Sequence, residues 1–147
     1  VPLHELTIES NALRGNPLRD PSVRPLRVWA PRDAEAGAAD LPAVYWLQGF
    51  TGQLAMWDNR LPFRPTFPEL LEREAPRCVV VLVDAFTSVG GSQFVDSHGA
   101  GRYHTYLCED IVPFVDARFT TNGRRGVAGK SSGGYGAAVT AMLRPDL

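Results

Sequence analysis

Cysteine is scarce in this chain: two residues, Cys78 and Cys108, in 147. They lack the close spacing of metal or redox motifs, so no disulfide framework and no metal site is expected, and two buried free thiols are. Charge of one sign is lacking too. Fifteen Lys and Arg stand against 16 Asp and Glu, a formal net charge of −1, which argues against nucleic acid or an anionic membrane surface as a partner. No apolar run is long enough to span a bilayer. No basic start leads into an apolar core, so no signal peptide is visible; the first residue is Val1 rather than Met, which leaves room for a removed leader, and the cytoplasm is the favoured compartment. Repeats, low-complexity tracts and linkers are absent, and the length suffices for one domain with its own core.

What is present is concentrated near the end. Residues 127–136 read Val-Ala-Gly-Lys-Ser-Ser-Gly-Gly-Tyr-Gly and contain Gly129-x-Ser131-x-Gly133. Residues 125–128 suit a short strand. Residues 134–143 suit a helix with Tyr135, Ala138, Val139 and Met142 on one face. Strand, tight turn and helix form the setting of a nucleophile elbow. The serine there takes an unfavourable backbone conformation to present its hydroxyl. Glycines flank it because side chains would collide where strand and helix cross. The helix aims free N–H groups and its positive end at a reacting carbonyl. Ser131 is therefore the candidate nucleophile, and the backbone N–H of Ser132 the candidate for half of an oxyanion hole. Two competitors are weaker: a glycine loop that merely caps a helix, and a phosphate loop. Gly129-Lys130-Ser131 looks like the end of the latter, but Arg124 occupies the position of its first glycine.

The remainder reads as alternating strands and helices. Residues 3–13 carry a partial alternation, Leu6 and Ile8 against Thr7 and Glu9, and residues 24–30 place Leu26, Val28 and Ala30 on one side. These predict an antiparallel pair at one sheet edge, joined by a turn at residues 14–17 and followed by a polar, alanine-rich connection over residues 32–40. Residues 43–47 and 78–83 are continuous apolar runs, which predicts strands covered on both faces, as in a parallel sheet. A short helix is expected over residues 68–75, with Pro68 in its first turn and Leu70 and Leu71 inward. A glycine-rich loop follows the second apolar run. Then Leu107, Ile111, Phe114 and Val115 recur at helical spacing, with Arg118 at the solvent edge of the stripe and Pro113 marking a kink or a second start. Glu109 and Asp110 are expected to be solvated or capping.

The loop after the first apolar run, Gln48-Gly49-Phe50-Thr51-Gly52, leaves the carboxyl end of its strand, where sites form in such sheets. Gly49 allows close backbone approach. The N–H of Phe50 is the candidate second oxyanion donor; a plain β-turn is the alternative. Trp57 and Tyr135 are candidates to line an acyl or alcohol pocket, though aromatics at such positions more often belong to a core.

Three stretches together, residues 43–52, residues 110–116 (Asp-Ile-Val-Pro-Phe-Val-Asp) and residues 129–137, resemble the putative-esterase branch of the α/β-hydrolases. That branch includes esterase D (S-formylglutathione hydrolase), enterochelin-esterase-like proteins and the bacterial mycolyltransferases. The resemblance runs from about residue 26 onward. It implies an α/β-hydrolase-type, mostly parallel sheet flanked by helices, incomplete at its C-terminal side, in a single domain over residues 1–147. It implies a hydrolase of small carboxylic esters or thioesters without a cofactor, with Ser131 as nucleophile and Phe50 and Ser132 as backbone donors. Acyl transfer of the mycolyltransferase type and a non-catalytic scaffold are the alternatives. Gln48 departs from the common His-Gly form of the first motif, and Lys130 and Ser132 differ from the His and Met frequent in esterase D relatives.

The partners of the serine are what the sequence lacks. A serine hydroxyl needs a base, nearly always histidine, oriented by a carboxylate, and in this fold both follow the serine in the chain. The 16 residues after Ser131 hold Asp146 and no histidine; His4, His98 and His104 all precede it. His98, in the loop on the site's side of the sheet, is the weak substitute; His104, at a helix start, is expected on the surface. The resemblance therefore implies the N-terminal portion of a longer esterase, with an elbow and oxyanion hole but no complete triad. It also leaves the elbow strand as a bare sheet edge through which copies could associate.

Overall fold

The computed structural model describes residues 2–32, 34 and 40–147. The alanine-rich connection expected over residues 32–40 falls mostly outside the described residues. Five strands form the central sheet: β1 (Leu3–Glu9), β2 (Val23–Trp29), β3 (Leu41–Leu47), β4 (Val79–Val83) and β9 (Thr121–Gly129), in the spatial order β1-β2-β4-β3-β9. β1 pairs with β2 and β2 with β4 antiparallel, while β3 runs parallel to both β4 and β9. Only β2 therefore runs against the rest, giving an α/β fold with a mostly parallel sheet flanked by helices. Between β4 and β9 lie two short hairpins, β5 (Phe86–Thr87) with β6 (Gly90–Gly91) and β7 (Asp96–Ser97) with β8 (Gly101–Arg102).

Alternation along the strands divides the core into two layers. Val79, Val81 and Val83 of β4 join Leu26, Val28, Ala43, Tyr45 and Leu47 on one face, under Tyr106, Leu107, Ile111, Val115 and Phe119. Val80 and Leu82 face the other way with Trp29, under Leu54 and Leu71. β4 is buried at every position because it has neighbours on both edges and layers on both faces. β3 departs from the expectation of full coverage. Its residues alternate between buried and half-buried; among the described residues the second face is covered mainly by a 3₁₀ turn (Leu54–Asp58) and a short helix, α1 (Phe67–Glu74). Trp46 meets this cover through Trp57 and Phe67, with ring centroids 6.3 and 5.1 Å away.

Helix α1 is set by local chemistry. Thr66 accepts from the Glu69 amide while the Glu69 carboxylate accepts from the Thr66 amide at 2.7 Å, a reciprocal cap, and Pro68 stands in the first turn. The other layer is one long helical stretch: α2 (Tyr103–Thr105), a π-helical segment (Tyr106–Ile111) and α3 (Val112–Phe119). Pro113 stands in the first turn of α3, the second start the sequence offers there, and the chain widens just before it, the Val112 amide donating five residues back to Leu107, which accommodates a residue with no N–H to give. Asp110 accepts from Ser10 Oγ at 2.5 Å and the Ala12 amide at 3.1 Å, so it caps the turn after β1, and Glu109 pairs with Arg144. Both cysteines are free, Cys108 buried and Cys78 only half-buried. Burial pushes the Cys108 thiol up to about 11, marking an unreactive sulfur. No helix among the described residues is long and apolar enough to cross a membrane.

One charged pair sits inside this frame. Arg24 Nη2 donates to Asp84 at 2.6 Å and to the Phe86 carbonyl at 2.5 Å, both side chains being almost fully buried. Burial raises the Asp84 carboxyl, and Arg24 pulls it partly back. Removing Arg24 leaves a buried, uncompensated carboxylate, so Arg24→Met should cost about 3 kcal/mol at neutral pH. Arg14→Met, which breaks an exposed pair with Glu9, should cost about 0–1 kcal/mol. A raised folded-state pKa penalises the ionised form, so the penalty is present above that pKa and relieved as pH falls through it. The Arg24→Met deficit in urea denaturation should accordingly shrink on acidification.

Candidate active site

β3 and β9 are neighbours whose connections leave on opposite faces of the sheet. β3 leads to α1 in one layer. β9 leads to α4 (Ser132–Leu143), whose Ala137 packs in the other. Such a divergence opens a crevice beyond the carboxyl ends of the strands. Lys130 and Ser131 alone join β9 to α4, and Ser131 has φ 56° and ψ −121°. A residue with a side chain occupies that region at a cost of about 1–3 kcal/mol. Local contacts hold it there: the Gly133 amide donates to the Lys130 carbonyl at 2.9 Å, the Tyr135 amide to the Ser131 carbonyl at 3.0 Å, and the Lys130 amide reaches the Leu47 carbonyl at 3.4 Å.

The flanking glycines act as expected. A Cβ on Gly129 would fall on the Gly133 carbonyl, and one on Gly133 would fall on the carbonyls at the end of β3, 2.5 Å from that of Gln48. Strand, elbow and helix thus meet main chain to main chain. The same closeness decides which face of the helix is buried. The stripe of Tyr135, Ala138, Val139 and Met142 faces outward, with Val139 half-buried, and the buried residues of α4 are Gly133, Gly136 and Thr140. A Cβ on Gly136 would already stand 2.8 Å from Phe94, so only small residues fit beneath.

The loop after β3 reaches the elbow. Its turn closes with the Gly52 amide on the Gly49 carbonyl at 3.0 Å. A Cβ on Gly49 would lie 3.7 Å from both Ser131 Cβ and the Lys130 carbonyl, which is ordinary contact distance. Among the described residues the amides of Phe50 and Ser132 donate to no backbone acceptor. Phe50 is 45% exposed. Gln48 is buried beneath the loop with neither end of its carboxamide partnered.

The structure separates the other candidates. Tyr135 stands in the first turn of α4, one turn from Ser131, and is exposed. Trp57 stacks with Phe67 at 5.0 Å and meets Trp46 edge-on, which makes it part of the α1 layer. His98 is exposed at the tip of the β7–β8 hairpin. His104, half-buried rather than on the surface, lies 3.6 Å from Cys108 Sγ. His4 meets Phe119 edge-on, and Asp146 is held by Arg144 at 2.8 Å. Among the described residues no side chain hydrogen-bonds to Ser131 Oγ. Sequence reasoning missed the buried Arg24–Asp84 pair and the β5–β6 hairpin that packs on Phe50. The adjacent glycines 90 and 91 were the one visible signal, and nothing in the sequence points from them to a residue forty positions earlier.

Residues 22–147 match the model of a family described as "Putative esterase". Solved structures share the fold. A ferulic acid esterase superposes with a TM-score of 0.73 at 21% identity, over 98% of this chain and 55% of its own. An S-formylglutathione hydrolase from Agrobacterium tumefaciens does so at 0.73 and 20%, over 98% and 54%. The enterobactin esterase of Shigella flexneri gives 0.67 and 21%, over 99% and 35%. The chain thus spans about half the length of the first two and about a third of the last.

The contacts rank the glycines of the site. Gly49→Ala should fold like the parent, since the added methyl finds ordinary contact distances. Gly133→Ala should be destabilised by at least about 2 kcal/mol or fail to fold, because its methyl meets carbonyls that cannot move without shifting β3. Thermal melts of the two variants beside the parent test the ranking.

Proposed function

Because the chain belongs to the esterase family, matched over residues 22–147, we propose that it supplies the nucleophile and the oxyanion site of a serine ester hydrolase. The observation that carries this reading is Ser131 itself: a serine held at φ 56° between a strand and a helix, in contact with a loop whose Phe50 amide has no backbone acceptor. Ser131 Oγ attacks the carbonyl carbon of a carboxylic ester or thioester and gives its proton to a base. The carbonyl oxygen gains negative charge as the tetrahedral centre forms, and the amides of Phe50 and Ser132, the latter at the positive end of α4, stabilise it. Collapse expels the alcohol or thiol with a proton and leaves an acyl-enzyme, which water hydrolyses by the same steps in reverse order.

The base is a separate matter. No described histidine hydrogen-bonds to Ser131, so these 147 residues expressed alone are proposed to turn over at best weakly, since losing a triad member costs orders of magnitude. A non-catalytic use of the scaffold is the contrasting reading, favoured by that same missing contact.

A fluorophosphonate probe on the intact protein should label it at Ser131 and not after Ser131→Ala. Labelling that survives the substitution would mean another nucleophile, and a parent that never reacts would favour the scaffold. Within an active protein, Phe50→Leu keeps the amide and should change ester turnover only a few-fold. Phe50→Pro deletes the N–H and should lower kcat by about two orders of magnitude or more. Equal effects of the two would remove Phe50 from the oxyanion hole.

A further inference from the structure

The β5–β6 hairpin takes no part in the chemistry above, yet its glycines are packed closely against the loop that carries the Phe50 amide. A Cβ on Gly91 would stand 2.8 Å from both Phe50 Cα and the Phe50 carbonyl oxygen, and 3.2 Å from its carbonyl carbon. A Cβ on Gly90 would stand 2.5 Å from two atoms of the Phe50 ring. The hairpin is itself anchored from several directions. Arg24, neutralised by Asp84, donates to the Phe86 carbonyl. Thr87 Oγ1 donates to the Gly90 carbonyl at 2.7 Å and accepts from the Val89 amide at 3.2 Å. The Ser88 amide donates to Asp20 at 3.0 Å, and the Ser92 amide to the Ala85 carbonyl at 3.2 Å. The loop after β3 therefore rests on an anchored surface, with Gly49 facing the elbow across a space that an added methyl would just fill.

We propose that Gly91 is a positioning residue for acyl-enzyme formation: its bare Cα is the surface against which the Cα and carbonyl of Phe50 are seated, and through that shared Cα it sets where the adjoining Phe50 N–H points. This rests on the oxyanion reading of Phe50. A donor stabilises the oxyanion only within a narrow range of distance and direction. A methyl at residue 91 meets main chain rather than the yielding end of a side chain, so the Phe50 Cα and carbonyl must shift and carry the N–H on that Cα with them, and close-packed surroundings transmit the shift instead of absorbing it.

The test is the rate of fluorophosphonate labelling at Ser131 in the intact protein, resolved into the maximal inactivation rate and the half-saturating probe concentration. Gly91→Ala should lower the maximal rate by about tenfold or more, with the half-saturating concentration changed by less than about twofold, in a variant that melts some degrees below the parent because of the same crowding but is folded at the assay temperature. Gly99→Ala, whose methyl would approach only Ser97 Oγ at 3.6 Å, serves as the control and should label like the parent. If Gly91→Ala does not fold, Thr87→Val decides. It removes the hydroxyl that ties β5 to β6 without adding a clash and should slow the maximal rate several-fold. Parent-like labelling of folded Gly91→Ala, or of Thr87→Val where Gly91→Ala does not fold, overturns the positioning role and leaves the nucleophile assignment standing. A parent that does not react at Ser131 overturns the esterase reading and this inference with it.

Discussion

The site depends on how closely two pieces of main chain can approach. The first turn of α4 lies on the carbonyls that end β3, and the approach is possible only because residue 133 has no side chain. That contact fixes the distance between the elbow and the loop after β3. The proposed chemistry would be downstream of it: a hydroxyl on one side, an amide on the other, and a separation determined by carbonyl and Cα radii rather than by adaptable side chains. Interiors packed this tightly hold position well because no void is left into which a displaced group could move.

A second consequence is the character of α4. A helix pressed so near the sheet cannot use large residues underneath, so glycine and threonine line its buried side while Tyr135 and Met142 point out. Glycine ordinarily weakens a helix by about 0.5–1 kcal/mol relative to alanine. Here that local weakness is the condition for the close crossing. The buried Arg24–Asp84 pair works in the opposite register. It adds little net stability once desolvation is counted, but it ties the start of β2 to the segment leaving β4 and so fixes the root of the β5–β6 hairpin.

The legible parts of the fold were those written in short-range pattern. The apolar run of β4, the edge pair β1–β2 and the elbow glycines follow from alternation and steric need along a few residues. The pairing of the loop after β3 with the elbow was legible as well, because topology alone brings the carboxyl ends of parallel strands together. What escaped was long-range: Trp57 finding Trp46 and Phe67, and Phe50 resting on Gly91. Each is a contact between segments whose spacing depends on loop conformation, which periodicity does not encode. Which face of α4 is buried was not legible either, for a related reason. An apolar stripe normally marks the buried side of a helix, and here the limiting factor was clearance to the backbone. The π-helical widening before Pro113 belongs with these: the proline announces a missing donor, but not which neighbouring carbonyl will rearrange.

Ser131 stands in a conformation that glycine would adopt without penalty. The residue proposed to do the chemistry is, for the fold, an inferior choice at its own position. On the proposed reading, replacing it by glycine would relieve the backbone strain and remove the nucleophile at once. Selection for durability alone would drive residue 131 away from serine, so stability screens of this scaffold will tend to enrich inert variants unless reactivity is scored in the same experiment.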